Sequence, residues 1–286
     1  MKKTLFMVLG LCMTMTLQAQ EQEPVNAYFT TDEMPDMMKF LPAPPDSTSA
    51  AFLNDVARYY WGKSMRNDEE RAAQATRDAV YGLDCIITEF EEAFGLKISK
   101  EQTPEIYKVL REGTATCDSI CTKPKAAYMR RRPFMVFNEP TLTPEEEEAL
   151  RKNGSYPSGH TLLGWSSALL MSEINPDRAT EILARGYRYG ENRLVVGAHW
   201  QSDTDAARLA ASAAYARLHT SDRFLEQMRK AREEFKAIKG GASAVRTAKV
   251  VHMPAADGPA YTLQGTPAAA STRGIVVRQG AKSVQR

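Results

Sequence analysis

The chain has 286 residues, room for one large domain or two small ones. Its 43% hydrophobic and 25% charged residues exclude a disordered chain, a collagen-like fibre and a multi-span membrane protein. A formal net charge of only +2 argues against a strongly basic nucleic-acid binder, although the charge is unevenly placed.

Residues 1–19 read as a secretory signal peptide. Lys2 and Lys3 make a short basic start, residues 4–17 are mostly apolar, and Ala19 precedes a cut at Gln20. The apolar stretch is shorter than the roughly 20 residues a membrane span requires. Export to the periplasm with cleavage is therefore expected, and no stable membrane span. Cys12 follows Leu11, where a lipidation signal carries a small residue, so no lipid anchor is expected. Loss of Lys2 and Lys3 brings bases and acids into balance.

Residues 20–240 then form one catalytic-sized domain, with an extended segment over 20–46 that includes the Pro-rich run Leu41-Pro42-Ala43-Pro44-Pro45. Strand alternation is nearly absent and helical spacing recurs. Residues 51–65 place Phe52, Val56, Tyr59 and Tyr60 on one side. Residues 69–94 place Ala79, Leu83, Ile86, Phe90 and Phe94 at steps of three or four, and Gly95 stops the helix. Thr103-Pro104-Glu105 starts the next, with Thr as cap and Pro at the first helical position. Thr143-Pro144-Glu145-Glu146 repeats that start with a capping box, and its run of glutamates reads as a solvated helix start. Further helices are expected over 160–174, from Asn175-Pro176-Asp177 to about 190, and over 202–218 and 221–238. The expected fold class is all-α: a compact single-domain bundle of about eight helices with short connections.

Residues 241–286 are rich in Ala, Gly, Ser, Thr and Pro. They carry Arg246, Lys249, Arg273, Arg278, Lys282 and Arg286 against Asp257 alone. This reads as a low-complexity, disordered basic tail, in which Ile275-Val276-Val277 could pair as a strand. The basic excess of the chain lies there, so the catalytic domain is acidic overall. After signal removal the cysteines are Cys85, Cys117 and Cys121. Their odd number leaves at least one free thiol within a chain. Cys117 and Cys121 share a helical face with Ile106 and Leu110 and read as buried thiols. No metal site and no cofactor are expected. Gly62-Lys63-Ser64 is no phosphate-binding loop, because Ala57 stands where its first glycine belongs.

Three clusters carry chemistry. In the first, Lys125 and Arg132 are seven apart and are expected on one helical face, beside Arg130 and Arg131. One Lys and one Arg suit a small multivalent anion, because Arg offers planar paired donors and Lys a compact charge. In the second, Gly154-Ser155-Tyr156-Pro157-Ser158-Gly159-His160-Thr161, a turn leads straight into an apolar helix. Free amides at such a start face an anion, Gly159 lets it approach, Ser158 caps or donates, and His160 stands where a proton is given. In the third, Asn192-Arg193 precedes His199 and Asp203. The last two are one helical turn apart, so the carboxylate can hold one imidazole nitrogen and turn the other outward. That is the arrangement of an oriented nucleophile or base, and equally of a capping Asp beside a packed His. His219 and His252 have no comparable setting.

Taken together, Lys125 to Arg132-Pro133, Pro157-Ser158-Gly159-His160 and Arg193 to His199 to Asp203 resemble the phosphatidic acid phosphatase type 2 and vanadium haloperoxidase superfamily. The stretch from Gly154 to Thr161 looks like the signature of the bacterial class A non-specific acid phosphatases. Residues 40–45, Ala50-Ala51-Phe52-Leu53, Tyr128-Met129-Arg130 and His199-Trp200-Gln201-Ser202-Asp203 are similar to that class as well, so the resemblance spans about residues 40–240. It implies that Lys125, Arg132 and Arg193 bind phosphate oxygens and that Ser158 and Gly159 add hydrogen bonds. It implies His199 as the nucleophile that becomes a phosphohistidine, Asp203 as its orienting partner, and His160 as the acid for the leaving alcohol. Asn192 departs from the pattern, which has Ser there, and retains a donor. The resemblance implies an acid phosphatase acting on a broad range of phosphate monoesters without a metal, with phosphotransfer as a side activity and a homodimeric or larger assembly. The chemistry requires a neutral nucleophile and a protonated acid, hence a bell-shaped profile on the acidic side. The alternatives are a vanadate-dependent haloperoxidase and a non-catalytic envelope protein that binds phosphate.

Overall fold

The computed structural model describes residues 25–248 together with 261–262, 267, 274–278 and 281–285. The expected signal peptide over 1–19 and much of the expected tail lie outside these residues.

The chain reaches α1 (Met37–Phe40) and then runs extended over 41–48, where the Pro42 carbonyl accepts the Tyr156 hydroxyl at 2.7 Å. Ser49 caps α2 (Ala50–Ser64) by accepting the Phe52 amide at 3.2 Å. Its buried stripe is Asp55, Tyr59 and Gly62, while Tyr60 is exposed, so the inward face is rotated from the one expected. Gly62 is required there: a Cβ would lie 2.4 Å from the Leu194 carbonyl oxygen.

The single helix expected over 69–94 is two helices, α3 (Glu69–Arg77) and α4 (Leu83–Phe94). Gly82 adopts φ 146°, outside the range of L side chains, and breaks the run. Gly95 at φ 78° ends α4 as expected. Next comes α5 (Pro104–Asp118), which has Pro at its start but no cap from the Thr103 side chain. The Glu234 carboxylate accepts the amides of Glu105 and Ile106 instead. Cys117 lies in the core with Ile106 and Leu110, whereas Cys121 ends the short 3-10 turn Ser119–Cys121 beyond α5. Cys85, Cys117 and Cys121 are all unpaired.

Three short helices follow: α6 (Thr122–Tyr128), α7 (Pro133–Phe137) and α8 (Glu147–Arg151). The capping box expected at Thr143 is absent, and a 3-10 turn, Pro144–Glu146, leads into α8. The centre is α9 (Gly159–Ile174), buried on nearly every side among α4, α5, α10 (Ala179–Val196) and α11 (Gln201–Leu218). Small residues bring α9 and α10 close, since a Cβ on Gly186 would stand 2.5 Å from that of Ala168. α10 runs six residues past its expected end, to Gly197 at φ 85°, so Asn192 and Arg193 are helical. α12 (Asp222–Ala248) closes the order. The class is all-α as expected, with more helices than expected because the Gly82 break, Met129 at φ 37° and Asn138 at φ 53° divide the first half.

The chain divides into two compact units, one up to Phe235 and one from Lys236 onward. The second contains an antiparallel sheet, β1 (Tyr261–Thr262), β2 (Gly274–Arg278) and β3 (Ala281–Gln285), in that order. The run Ile275-Val276-Val277, read from the sequence as able to pair as a strand, lies in β2. The β-branched run Ile275, Val276 and Val277 pairs with Val284, Ser283 and Lys282, so local β propensity outweighs the low-complexity surroundings.

Gly62→Ala is expected to destabilise the protein by about 1–3 kcal/mol, because neither backbone can yield at that crossing. A thermal melt reads this as a lower Tm; an unchanged Tm would show that α2 and α10 can separate freely.

Candidate active site

The three clusters meet at a cavity of about 420 Å³ lined by Lys125, Arg132, Gly159, His160 and His199, with Tyr81, Asp118, Cys121 and Glu146 among its other walls. Ser158, Asp203 and Arg193 do not line it and are fully buried.

Lys125 and Arg132 do not share a helical face. α6 ends at Tyr128, Met129 turns left-handed, and Arg132 is the extended residue before α7. They converge nevertheless on one acceptor: Lys125 Nζ donates to the Gly154 carbonyl at 2.8 Å and Arg132 Nη2 to the same oxygen at 3.4 Å. Gly154 permits this, since a Cβ there would be 2.4 Å from the Lys125 carbonyl oxygen. Arg132 also donates Nε to Leu150 O and Nη1 to Ala198 O. Burial pulls the Lys125 ammonium down to about 8 and the Arg132 guanidinium to about 10, with Arg132 adding to the effect on Lys125.

Arg193 lies on the last turn of α10, and its guanidinium is wholly buried. Among the described residues none of its three nitrogens has a hydrogen-bond partner, and the nearest carboxylate oxygen, Glu146 Oε2, is 3.9 Å away. A buried guanidinium without acceptors is costly.

His199 precedes α11 rather than lying on it, and Asp203 is in that helix's first turn, so their contact comes from a cap and not from a shared helical face. Arg132 Nη1 is 2.9 Å from His199 Nε2. Arg132 can only donate, so Nε2 carries the lone pair and Nδ1 the hydrogen. Nδ1 stands 3.3 Å from both Asp203 Oδ2 and Ser155 Oγ. Asp203 Oδ2 also accepts the Ser155 hydroxyl at 2.5 Å and the Trp200 amide at 2.9 Å. Its Oδ1 takes Arg130 Nη1 at 2.5 Å. The other arm of Arg130 reaches Asp55 Oδ2 at 2.6 Å, and Ser202 bonds to both groups.

His160 opens α9. Its Nε2 lies 2.8 Å from the Ala79 carbonyl, so Nε2 carries a hydrogen and Nδ1 is the nitrogen free to exchange a proton. The Tyr81 ring meets the imidazole edge-on at 4.8 Å. Ser158 caps the helix by accepting the Thr161 amide and hydroxyl at 3.3 and 2.9 Å. Burial first, then neighbouring cations, hold both imidazoles well below the usual 6.5: Arg193 acts on His160, and Arg132, Lys125 and Arg193 act on His199. Both shifts favour the neutral imidazole.

Asn192 uses its donor on Asp78 Oδ2 at 2.6 Å, and Arg185 holds the same carboxylate through both oxygens. These bonds pin the α3–α4 break that presents Ala79. Sequence reasoning named every residue of the cation and histidine set but missed Ser155, Asp55, Asp78 and the role of Arg130. Ser155 lay inside the quoted Gly154–Thr161 stretch, while nothing local marked Asp55 or Asp78.

Residues 110–224 match the PAP2 superfamily. The chain is 44% identical over 218 residues to a non-specific acid phosphatase of Providencia stuartii, covering 76% of this chain and 88% of the relative. It is 39% identical over 213 residues to one of Salmonella typhimurium, covering 74% and 85%. An acid phosphatase of Zymomonas mobilis is 33% identical over 82% of this chain and 87% of its own length. The chain belongs to the non-specific acid phosphatases of the PAP2 superfamily. The superfamily match contains every cation and histidine of this phosphatase's cavity, from Lys125 to Asp203. It leaves out Asp55, Asp78 and Ala79, which reach the site from the N-terminal side. Among the described residues no cluster of His, Cys, Asp or Glu could hold a metal, and no helix is long and apolar enough to cross a membrane.

The depressed imidazoles set the sign of one pH dependence. Unfolded histidines take up protons near 6.5 while His160 and His199 stay neutral in the folded protein, so stability falls as pH drops below that value. Each histidine contributes about 1.4 kcal/mol per pH unit on the acid side. Urea unfolding of the ligand-free phosphatase between pH 7 and 5 should show this loss, and the double variant His160→Gln, His199→Gln should flatten it. An unchanged slope in that variant would contradict the assignment.

Proposed function

We propose that this phosphatase hydrolyses a broad range of phosphate monoesters in the periplasm, by way of a phosphohistidine on His199. The observation that carries the reading is the buried guanidinium of Arg193, without acceptors, whose charge acts on Arg132 and on both cavity histidines. Three cations around one small space suit the oxygens of a phosphoryl group, whose charge they stabilise through transfer. Ser158 and the Gly159 amide at the start of α9 add hydrogen bonds.

In the first half-reaction the phosphate draws Arg132 Nη1 from His199, and the Nε2 lone pair attacks phosphorus. The ester P–O bond breaks, its electron pair leaves on oxygen, and that oxygen takes a proton from His160 Nδ1. Asp203 and Ser155 stabilise the charge developing at His199 Nδ1. In the second half, His160 Nδ1 takes a proton from water, the oxygen attacks phosphorus, and the P–N bond breaks with its pair returning to Nε2. An alcohol in place of water gives phosphotransfer.

The low affinity of His160 for protons in the free protein is offset by the substrate. A monoester has a second pKa of about 6, so below that it arrives with a proton that His160 can accept. His199 remains neutral in the same range, which suits an acid optimum. The periplasmic location rests on the composition of residues 1–19, and a homo-oligomer rests on the family alone.

His199→Ala is expected to abolish turnover of p-nitrophenyl phosphate, and acid quenching of the unmodified enzyme to trap phosphate on His199. EDTA should leave activity intact. Undiminished activity in His199→Ala overturns the mechanism, and phosphate binding without turnover by the unmodified protein overturns the enzyme reading. His160→Ala should cost about 100-fold or more with an alkyl phosphate, and clearly less with p-nitrophenyl phosphate, whose leaving group requires little protonation. Equal losses would remove His160 as the acid.

A further inference from the structure

Beside the phosphate cavity lies a second, of about 530 Å³, that neither the family signature nor the mechanism uses. Tyr81 and Asp118 line both spaces. The Tyr81 hydroxyl donates to Asp118 Oδ2 at 2.7 Å, so this hydrogen bond is the partition between them. One face of α5 floors the second cavity, with Tyr107, Arg111, Thr114, Ala115 and Asp118 at steps of three or four. The same run continues through Cys121 and Lys125 into the first.

The second cavity is on the leaving-group side. In-line transfer sets nucleophile and leaving group on opposite sides of phosphorus. His199 does not line this space, whereas Leu163, three residues past His160 on α9, does. The partition residue Tyr81 touches His160 itself. A group departing toward His160 therefore heads for Tyr81 and the space beyond it.

The far end holds two cations beside the carboxylate of Asp84. Lys100 and Arg111 both line it, and Lys100 Nζ lies 5.5 Å from the centre of the Tyr107 ring. Asp84 is engaged by the Tyr107 hydroxyl at 3.0 Å. Burial holds the Asp118 carboxyl above the usual range. Val25, Leu83 and Leu163 supply an apolar middle.

We propose that this second cavity is a leaving-group subsite for phosphate monoesters whose leaving group is extended and ends in a second anion. The proposal rests on the phosphomonoesterase reading above. Arg111 precedes Asp118 by seven residues, about 10 Å of helix, which sets how far beyond the partition the second anion is held.

The test compares methyl phosphate, octyl phosphate and the octyl ester carrying a terminal carboxylate. The unmodified enzyme should show kcat/KM about 5-fold or more higher for the carboxylate ester than for octyl phosphate, a preference that fades with added salt. Lys100→Gln and Arg111→Gln should each reduce that preference while octyl phosphate is turned over as before. Ala115→Trp should fill the cavity and raise KM for both long esters about 10-fold relative to methyl phosphate. Equal kcat/KM for the two long esters overturns the anionic terminus. An unchanged ratio of long to short esters in Ala115→Trp overturns the subsite. No turnover of methyl phosphate or p-nitrophenyl phosphate by the unmodified protein overturns the underlying reading instead, and the subsite with it.

Discussion

The guanidinium of Arg130, held between the carboxylates of Asp55 and Asp203, is the interaction on which the site depends. It joins α2 to the start of α11 and leaves Asp203 with one oxygen for the scaffold and one for His199, Ser155 and the Trp200 amide. A carboxylate this deeply buried is tolerable only when paired and hydrogen-bonded, and removing one partner of such a pair costs about 3–5 kcal/mol. The clamp also separates charges by task. Arg130 is consumed by carboxylates, whereas Lys125 and Arg132 line the cavity, and buried Arg193 has only Glu146 at 3.9 Å.

A second buried carboxylate plays the corresponding part for His160. Asp78 takes both arms of Arg185 and the amide of Asn192, and so fixes the interruption between α3 and α4. The interruption frees the Ala79 carbonyl from helical bonding and points it at His160 Nε2. An unbroken helix would have spent that carbonyl on an amide four residues on. The imidazole's tautomer thus follows from Gly82, 43 residues before the first cation of the site.

Most of the chemistry was legible because it sits in short, contiguous stretches. Pro157-Ser158-Gly159-His160 announces a helix start, and α9 and α11 begin within one residue of their expected bounds and end on them. What misled was geometry carried by single backbone dihedrals. Lys125 and Arg132 have helical spacing, yet Met129 at φ 37° ends the helix between them and a shared carbonyl, not a shared face, brings them together. Phe52, Val56, Tyr59 and Tyr60 look like an inward face, but the buried stripe of α2 includes Asp55, a charge that no hydrophobic pattern places inside. Asp55 and Asp78 are buried because of partners more than 70 residues away, information that periodicity does not contain.

The contact between Arg132 Nη1 and His199 Nε2 has a consequence for chemical selectivity. The lone pair of His199 Nε2 is already engaged by a cation, and each guards the other. An uncharged electrophile has nothing to offer Arg132 in exchange and meets a masked nitrogen. An anion supplies the competing acceptor and unmasks the nitrogen as it docks. Under the mechanism proposed above, the charge of the incoming monoester itself releases the nitrogen that attacks it.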